Sequence, residues 1–405
     1  MDIAITNKIH VSLEKDTMLK LLIYVVWAFM LHTYLRGVFL RLPFFKDHVE
    51  IAFAIYFSIP VLLALPAFIN RFSLVDYFFY FINVFYLLAG YVFFPENTDY
   101  INENALTCVF CVFTFYFIGR VIDIDKTYNA FLVLSTVCII VDLLYFLVYA
   151  QNHKNMEEVA GEDNMYAAYL ILPHVVFLLW ATLKKFRLWK AVVTILGVLF
   201  LLSCGTRGPF VCIGFFGIIY FFFYMNFKGS VYVKLGIITL TAIIIANLHS
   251  VLLFLVKLFS GLQLSTRILE KFITGELGND SYRSILRDRL YDVLDSGDHF
   301  WGLGPFGSRN YDIIYPHVLH LDFFCAYGYL VGTILLILLF TLIGRAFWVT
   351  KGKLSQEFLL FLFSICIIKL LLSGSFIIEP YFFMLIGVCV NEVLYNRPTP
   401  LEDRR

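Results

Sequence analysis

The chain has 405 residues, of which 60% are hydrophobic and only 15% are charged, and its formal net charge is +1. A soluble domain usually carries about 25% charged residues, so this composition excludes an ordinary water-soluble enzyme. The near-zero net charge gives no electrostatic basis for binding nucleic acid. Continuous apolar runs close to the roughly 20-residue length that crosses a bilayer recur along the whole sequence, and such runs form helices in a membrane. We therefore predict an all-α polytopic membrane protein.

The apolar runs predict twelve transmembrane helices. They are placed at 19–40, 51–69, 75–94, 105–119, 128–149, 165–183, 190–205, 209–226, 232–257, 318–348, 357–375 and 377–395. Lys and Arg concentrate in alternate connections, such as the cluster at 184–190, whereas the connection at 95–105 contains neither residue. Because positively charged loops remain in the cytoplasm, this pattern predicts that both termini are cytoplasmic.

One long polar stretch, residues 258–317, lies between the ninth and tenth predicted spans and faces outward in this topology. A connection of this length is usually functional. Apolar side chains at helical spacing within 280–295 predict an amphipathic helix, with Asp280 or Ser281 as its N-cap. We expect a single integral membrane domain, residues 1–405, whose outward loop 258–317 carries part of an active site.

Arg207 is the first of several ionisable residues near membrane depth, where a charge is costly and therefore a functional candidate. It lies between the seventh and eighth spans, where Gly205, Gly208 and Pro209 interrupt the helix. A guanidinium beside the unpaired amides of a helix start suits a phosphate or pyrophosphate group. The alternative is an interfacial arginine that reaches towards lipid headgroups.

The predicted loop helix contains three arginines: Arg283, Arg287 and Arg289. Arg283 and Arg287 are four residues apart and therefore project from the same face of a helix. We interpret this pair as an anion-binding group. The alternative is a solvated helix face in which Arg289 pairs with Asp288 or Asp292.

His317 stands at the start of the tenth span and is a candidate general base, because imidazole exchanges protons near neutral pH. His320, one turn further on, is either an alternative base or a partner that orients the first ring, and Asp322 is expected to face the protein interior. These residues do not complete a zinc ligand set, and the loop has no acidic cluster, so no metal and no cofactor are predicted. The remaining charges within or beside spans are Asp142, Lys369 and Glu379.

In this order, the features resemble the superfamily of O-antigen polymerases and O-antigen ligases, which are membrane glycosyltransferases of bacterial surface polysaccharides. The matching motifs are Thr206-Arg207-Gly208, Ser281-Tyr282-Arg283, Gly302-Leu303-Gly304, and His317 followed by Leu321, Gly328 and Gly332. Asn164, just before the sixth span, also resembles a polar position of the family. In motif terms the resemblance covers about the second half of the chain. The family usually has Asn directly after the histidine, and here Val318 replaces it.

The resemblance implies a GT-C type helical fold in the bacterial inner (cytoplasmic) membrane, with a periplasmic active site. It implies an inverting, metal-independent transfer from a glycan on undecaprenyl pyrophosphate. Arg207 and Arg283, with Arg287 as the alternative to Arg283, would bind the pyrophosphate, and His317 would deprotonate the attacking hydroxyl. Gly208, His320 and Asp322 would support them. The implied partners are the lipid-linked glycan, the bilayer, a chain-length regulator and a flippase.

Two activities of the family fit these motifs. A polymerase joins lipid-linked repeat units into O-antigen or capsular polysaccharide, whereas a ligase transfers the finished glycan to lipid A-core. We favour the polymerase because polymerases serve more glycan systems. A flippase or other transporter is less favoured, because such proteins usually lack one large outward loop and the sequence has no visible duplication of halves.

Overall fold

The computed structural model describes residues 73–152, 156–225, 239, 246–261, 266–275, 283–296 and 299–395. The predicted spans at 19–40 and 51–69, most of the first half of the span at 232–257, the candidate N-caps Asp280 and Ser281, and the side chain of Asn164 lie outside this description. Every regular element within it is helical. The predicted all-α class is therefore confirmed for these residues.

The first half of the chain contains α1 (Leu74–Phe93), α2 (Thr98–Val121), α3 (Ile124–Asn152), α4 (Met156–Lys184), α5 (Leu188–Ser203) and α6 (Gly208–Phe223). The second half contains α7 (Leu248–Gly261), α8 (Arg267–Thr274), α9 (Arg283–Asp295), α10 (Leu319–Val349), α11 (Leu354–Leu370) and α12 (Pro380–Val390). In this part of the chain α1, the segment Ile124–Leu144 of α3, and α10 are long and apolar enough to cross a membrane, and several shorter helices are apolar. These helices have the character of a multi-pass membrane protein.

Two helices begin earlier than predicted. α2 starts at Thr98 and α4 at Met156, inside the segments 95–105 and 151–164 that were expected to be loops. At α2, Pro95 opens a short 3-10 turn, and the Thr98 hydroxyl donates to the Pro95 carbonyl at 2.8 Å. From Thr98 the helix α2 runs through polar residues before its apolar part. Loss of hydrophobicity ends a membrane span, but it does not have to end a helix.

The chain divides into two compact units, of which one is Phe131–Ser281. Within it α4 packs against α5 and α6. Its central apolar cluster comprises Ile139, Ala168, Ile171, Val175, Leu178, Val193, Phe200, Leu201 and Cys204. The short helix α8 places the fully buried side chains of Ile268 and Leu269 against α7 and against Leu199 and Leu202 of α5. This part of the predicted loop is therefore a packed element of the unit.

The other unit combines Met1–Ala130 with Tyr282–Arg405, and its most extensive helix contact among the described residues joins α2 to α12. A Cβ atom on Gly387 would lie 3.1 Å from the Cα of Gly119, so the two backbones approach directly. Small residues permit this approach between membrane helices. Near this contact the buried carboxylate of Asp76 accepts hydrogen bonds from Arg120 Nε at 2.7 Å and from the Tyr116 hydroxyl at 2.8 Å.

Polar contacts join distant segments at two places in this unit. At one end Arg120 contacts both Asp76 and, at 3.0 Å, Asn391, and all three belong to boundaries predicted to be cytoplasmic. At the other end the Asn97 side chain donates to the Leu303 carbonyl at 2.7 Å, which joins two segments predicted to face outward. The side of the membrane on which each of these segments lies stays a prediction.

Candidate functional site

Gly328 divides α10 into two helical parts. Its φ of 75° and ψ of 171° are non-helical, so the regular helices run over 319–327 and 329–349. The second part has roughly 20 residues and is about 30 Å long, which suffices to cross a bilayer by itself. The span expected at 318–348 corresponds to the apolar helix Leu319–Val349, and Gly328 interrupts its regular backbone. The short helix 319–327, which carries His320 and Asp322, precedes this interruption.

The turn Gly302-Leu303-Gly304 packs against this kink. Both glycines have positive φ, 81° and 75°. The Leu303 N–H donates to the Cys325 carbonyl at 2.6 Å, and so satisfies a carbonyl at the end of the short helix, where helical partners are lost. A Cβ on Gly328 would collide with the carbonyl oxygen of Phe300 and lie 2.9 Å from the Gly302 nitrogen. The Gly-x-Gly motif therefore holds the helix 319–327 in place.

His317 lies two residues before α10, in a left-handed backbone conformation with φ of 64°. Phe306 and Asp312 also have positive φ, so three non-glycine residues within a short segment adopt this uncommon conformation. Strained backbone of this kind concentrates at functional sites. The half-buried His317 ring packs edge-to-face on the Tyr315 ring, with 4.5 Å between the ring centroids.

Arg283 reaches the same region from the first position of α9. Its Nη1 donates to the Leu372 carbonyl at 3.0 Å. The next residue, Ser373, donates its hydroxyl to the Tyr315 hydroxyl at 3.5 Å, the long end of the hydrogen-bond range. Arg283 and His317 are therefore brought to one corner through the connection 371–379. Within this connection only Glu379 was among the candidate charges predicted from the sequence.

Arg287 lies one turn after Arg283 on α9, and it acts electrostatically on His320 of α10. The Tyr291 hydroxyl is 2.9 Å from His320 Nε2, and Arg287 acts electrostatically on both groups. Burial raises the pKa of Tyr291 above its ordinary value, and Arg287 opposes this rise. The phenol is therefore protonated at neutral pH, and the direction of its hydrogen bond with Nε2 follows the tautomer of the imidazole. This contact favours an anchoring role for His320.

Asp322 faces the protein interior, as predicted, and is only 5% exposed. Its Oδ2 accepts from the Phe376 N–H at 2.8 Å, and the Ser375 side chain is a second hydrogen-bond partner. An ion pair between Lys369 and Glu379 closes the base of the same connection, 371–379. Three side chains thus hold this connection at successive points. Arg283 contacts Leu372, and Tyr315 contacts Ser373. Asp322 contacts Ser375 and Phe376.

Arg207 belongs to the other unit, Phe131–Ser281. It is half-buried at the N-cap of α6, with Pro209 in the first turn, and α5 ends at Ser203. The predicted helix break is therefore confirmed. A Cβ atom on Gly208 would lie 1.9 Å from the Tyr169 hydroxyl oxygen, so a side chain there would require the tyrosine to shift. The buried hydroxyl oxygen of Thr206 has no hydrogen-bond partner among the described residues.

The corner near Arg283 combines a guanidinium, an imidazole beside a phenol, and a buried carboxylate. A guanidinium binds phosphate oxygens in a fixed fork, and an imidazole accepts or donates a proton near neutral pH. A scan against protein-family models, a search of curated proteins and a search of solved structures each gave no match. Function is therefore inferred from these residues and their geometry.

Proposed function

We propose that this chain is a bacterial inner-membrane glycosyltransferase of the O-antigen polymerase and ligase superfamily. In this proposal it has about twelve transmembrane helices in a GT-C type fold, and its loop 258–317 faces the periplasm. It joins repeat units carried on undecaprenyl pyrophosphate into O-antigen or capsular polysaccharide. The observation that carries the proposal is the corner at which Arg283, Tyr315 and His317 are linked through the connection 371–379.

The proposed chemistry begins at His317. One imidazole nitrogen takes the proton from a hydroxyl of the acceptor sugar while the hydroxyl oxygen attacks the anomeric carbon of the donor glycan. The bond between that carbon and the pyrophosphate oxygen breaks, and its electron pair leaves with undecaprenyl pyrophosphate. Attack from the opposite face inverts the anomeric configuration. General-base assistance of this kind typically contributes about 10²–10⁴ in rate.

The arginines have the complementary task of stabilising the leaving group. Negative charge develops on the pyrophosphate as the glycosidic bond breaks, and fixed donors aimed at that charge lower the barrier. Arg283 is the first choice in the described corner, because its guanidinium lies next to the segment that contacts Tyr315. Arg287 instead acts electrostatically on Tyr291 and His320. Arg207, at a helix start, is the proposed second pyrophosphate ligand.

Deletion of the gene, followed by gel analysis of the surface glycan and of the undecaprenyl-linked pool, tests this function. Loss of the ladder, with single repeat units on the lipid core, is the result expected for a polymerase. Long chains that accumulate on undecaprenyl pyrophosphate and never reach the core would instead identify the ligase. An unchanged ladder in both pools would refute both activities for that glycan.

A further inference from the structure

We infer that the connection between α4 and α5 binds an anionic phospholipid of the surrounding membrane. Six consecutive side chains are exposed there, and together they form the basic–aromatic turn: Lys184, Lys185, Phe186, Arg187, Leu188 and Trp189. The turn belongs to the unit Phe131–Ser281, whereas Arg283 and His317 belong to the other unit. Lipid binding at this turn is independent of the proposed glycosyl transfer, so either can fail without the other.

Positive charge is concentrated in the basic–aromatic turn. It contains Lys184, Lys185 and Arg187, and no Asp or Glu occurs in the sequence between Asp163 and Glu270. The side chains of Lys185 and Arg187 make no hydrogen bond or ion pair with any described residue. A basic residue close to an anionic membrane surface strengthens binding about fivefold. The turn therefore suits a negatively charged group that comes from outside the chain.

Lys190 follows the turn but points into the protein. It is 5% exposed, and its Nζ donates to the Ala181 carbonyl at 3.1 Å and to the Lys185 carbonyl at 3.5 Å. The carbonyl end of a helix carries partial negative charge, which repels an anion. The ammonium of Lys190 offsets this charge at the end of α4. Nearby, the hydroxyl oxygens of Thr182 and Thr194 lie 3.2 Å apart and join α4 to α5, so the turn is held in place before a ligand binds.

Apolar side chains alternate with the cations in the turn. Phe186, Leu188 and Trp189 are 71%, 73% and 43% exposed. A free phosphate ion would engage only the cations and would leave these side chains in water. A phospholipid engages both kinds of group, because its headgroup is anionic and its glycerol and acyl regions are apolar. Indole rings concentrate at membrane interfaces for the same reason. The composition of the surface thus favours a lipid over a soluble anion.

The turn also lies where lipid headgroups are expected. The apolar helices Ala168–Lys184 and Leu188–Ser203 meet at it. Apolar helices in a membrane end where the hydrocarbon gives way to the headgroups, and basic and aromatic residues follow at that depth. The basic–aromatic turn therefore faces the phosphate layer of the leaflet on its side.

The test measures equilibrium binding of water-soluble short-chain lipids to the full-length protein in detergent, by microscale thermophoresis. The probes are dioctanoyl phosphatidylglycerol, which is anionic, and dioctanoyl phosphatidylcholine, which is zwitterionic. We expect the wild type to bind the anionic lipid at least about tenfold more tightly. Lys185→Gln combined with Arg187→Gln should raise the Kd of the anionic lipid about 30-fold, because two cations are removed. Both side chains are exposed, so melting without lipid should stay unchanged.

The matched control is Lys351→Gln combined with Lys353→Gln. It removes the same charge from another exposed turn, in which only Gly352 separates the lysines and no apolar side chain lies between them. We expect this control to raise the Kd less than about threefold. Equal losses in the two double variants would overturn the site, since they would show a general effect of surface charge.

Two further measurements separate a lipid site from a site for soluble phosphate. Phe186→Ser combined with Leu188→Ser keeps the cations and should raise the Kd of phosphatidylglycerol about tenfold or more, because apolar contact with the lipid is lost. Glycerol 3-phosphate should bind the wild type at least about tenfold more weakly than the lipid. Unchanged lipid binding in the serine variant, or equal binding of glycerol 3-phosphate, would refute the lipid assignment. Equal binding of the two lipids by the wild type would refute the selection of an anion.

Discussion

Gly328→Ala should release the short helix that carries His320 and Asp322. The conformation at Gly328, with φ of 75° and ψ of 171°, is open to glycine almost alone, and a non-glycine residue there costs about 1–3 kcal/mol. The added Cβ would also lie 2.9 Å from the Gly302 nitrogen and collide with the Phe300 carbonyl oxygen. Overpacking of this kind costs about 1–3 kcal/mol more. The sum of about 2–6 kcal/mol is a large part of the roughly 5–15 kcal/mol that stabilises a folded domain.

Gly344→Ala is the matched control, because Gly344 lies in the same helix and a Cβ there meets no atom within 4 Å. Alanine favours a helix over glycine by about 1 kcal/mol, so this variant should be neutral or more stable. Thermal unfolding in detergent, with limited proteolysis of the segment 299–317, measures global and local opening. Gly328→Ala should unfold at a lower temperature and be cleaved faster in that segment. Equal melting and equal cleavage of the two variants would refute the role of the kink.

Three further predictions follow from the contacts of the same unit. Arg283→Ala should lower glycan transfer about 10²–10³-fold in a membrane assay, whereas the exposed Arg289→Ala should change it less than about twofold; similar activities would contradict the assignment. His317→Asn keeps a residue that tolerates positive φ but removes the base, so transfer should fall about 10²–10⁴-fold while melting is preserved, and full activity would exclude His317 as the base. Arg120→Ala leaves the Asp76 carboxylate buried without its ion-pair partner, and should lower the free energy of unfolding in detergent by about 3–5 kcal/mol. Lys126→Ala, in the exposed pair with Asp123, should lower it by only about 0–1 kcal/mol. Equal losses would show that the buried pair stabilises the protein no more than the exposed one.

Local features of the site were predictable because they depend on residues close in the chain. The helix break around Arg207 follows from Gly205, Gly208 and Pro209, and the structure ends α5 and begins α6 there. The amphipathic helix after Ser281 follows from the spacing of its apolar residues and is α9. Turn residues, caps and periodicity act over a few positions, so a linear pattern records them.

Contacts between distant segments were not predictable in the same way. Nothing in the linear pattern relates Arg283 to Leu372, or Asn97 to Leu303, because each pair is joined only when separate helices pack. The kink at Gly328 escaped detection for a related reason. Its apolar neighbours on both sides continue a hydrophobic run, and hydropathy measures transfer from water without recording backbone direction.

The sequence by itself determined the helical class of the described residues, their multi-pass membrane character and the position of the candidate charges. Composition and apolar length decide these properties, since burying a backbone in lipid requires helices wherever the apolar run is long enough. Only the tertiary structure decided which charges share a site. The docking of the Gly302 turn on Gly328, and the contacts of the connection 371–379, place Arg283, His317 and Asp322 around one corner. These are contacts between segments far apart in the chain, and their free energy depends on packing that no local pattern contains.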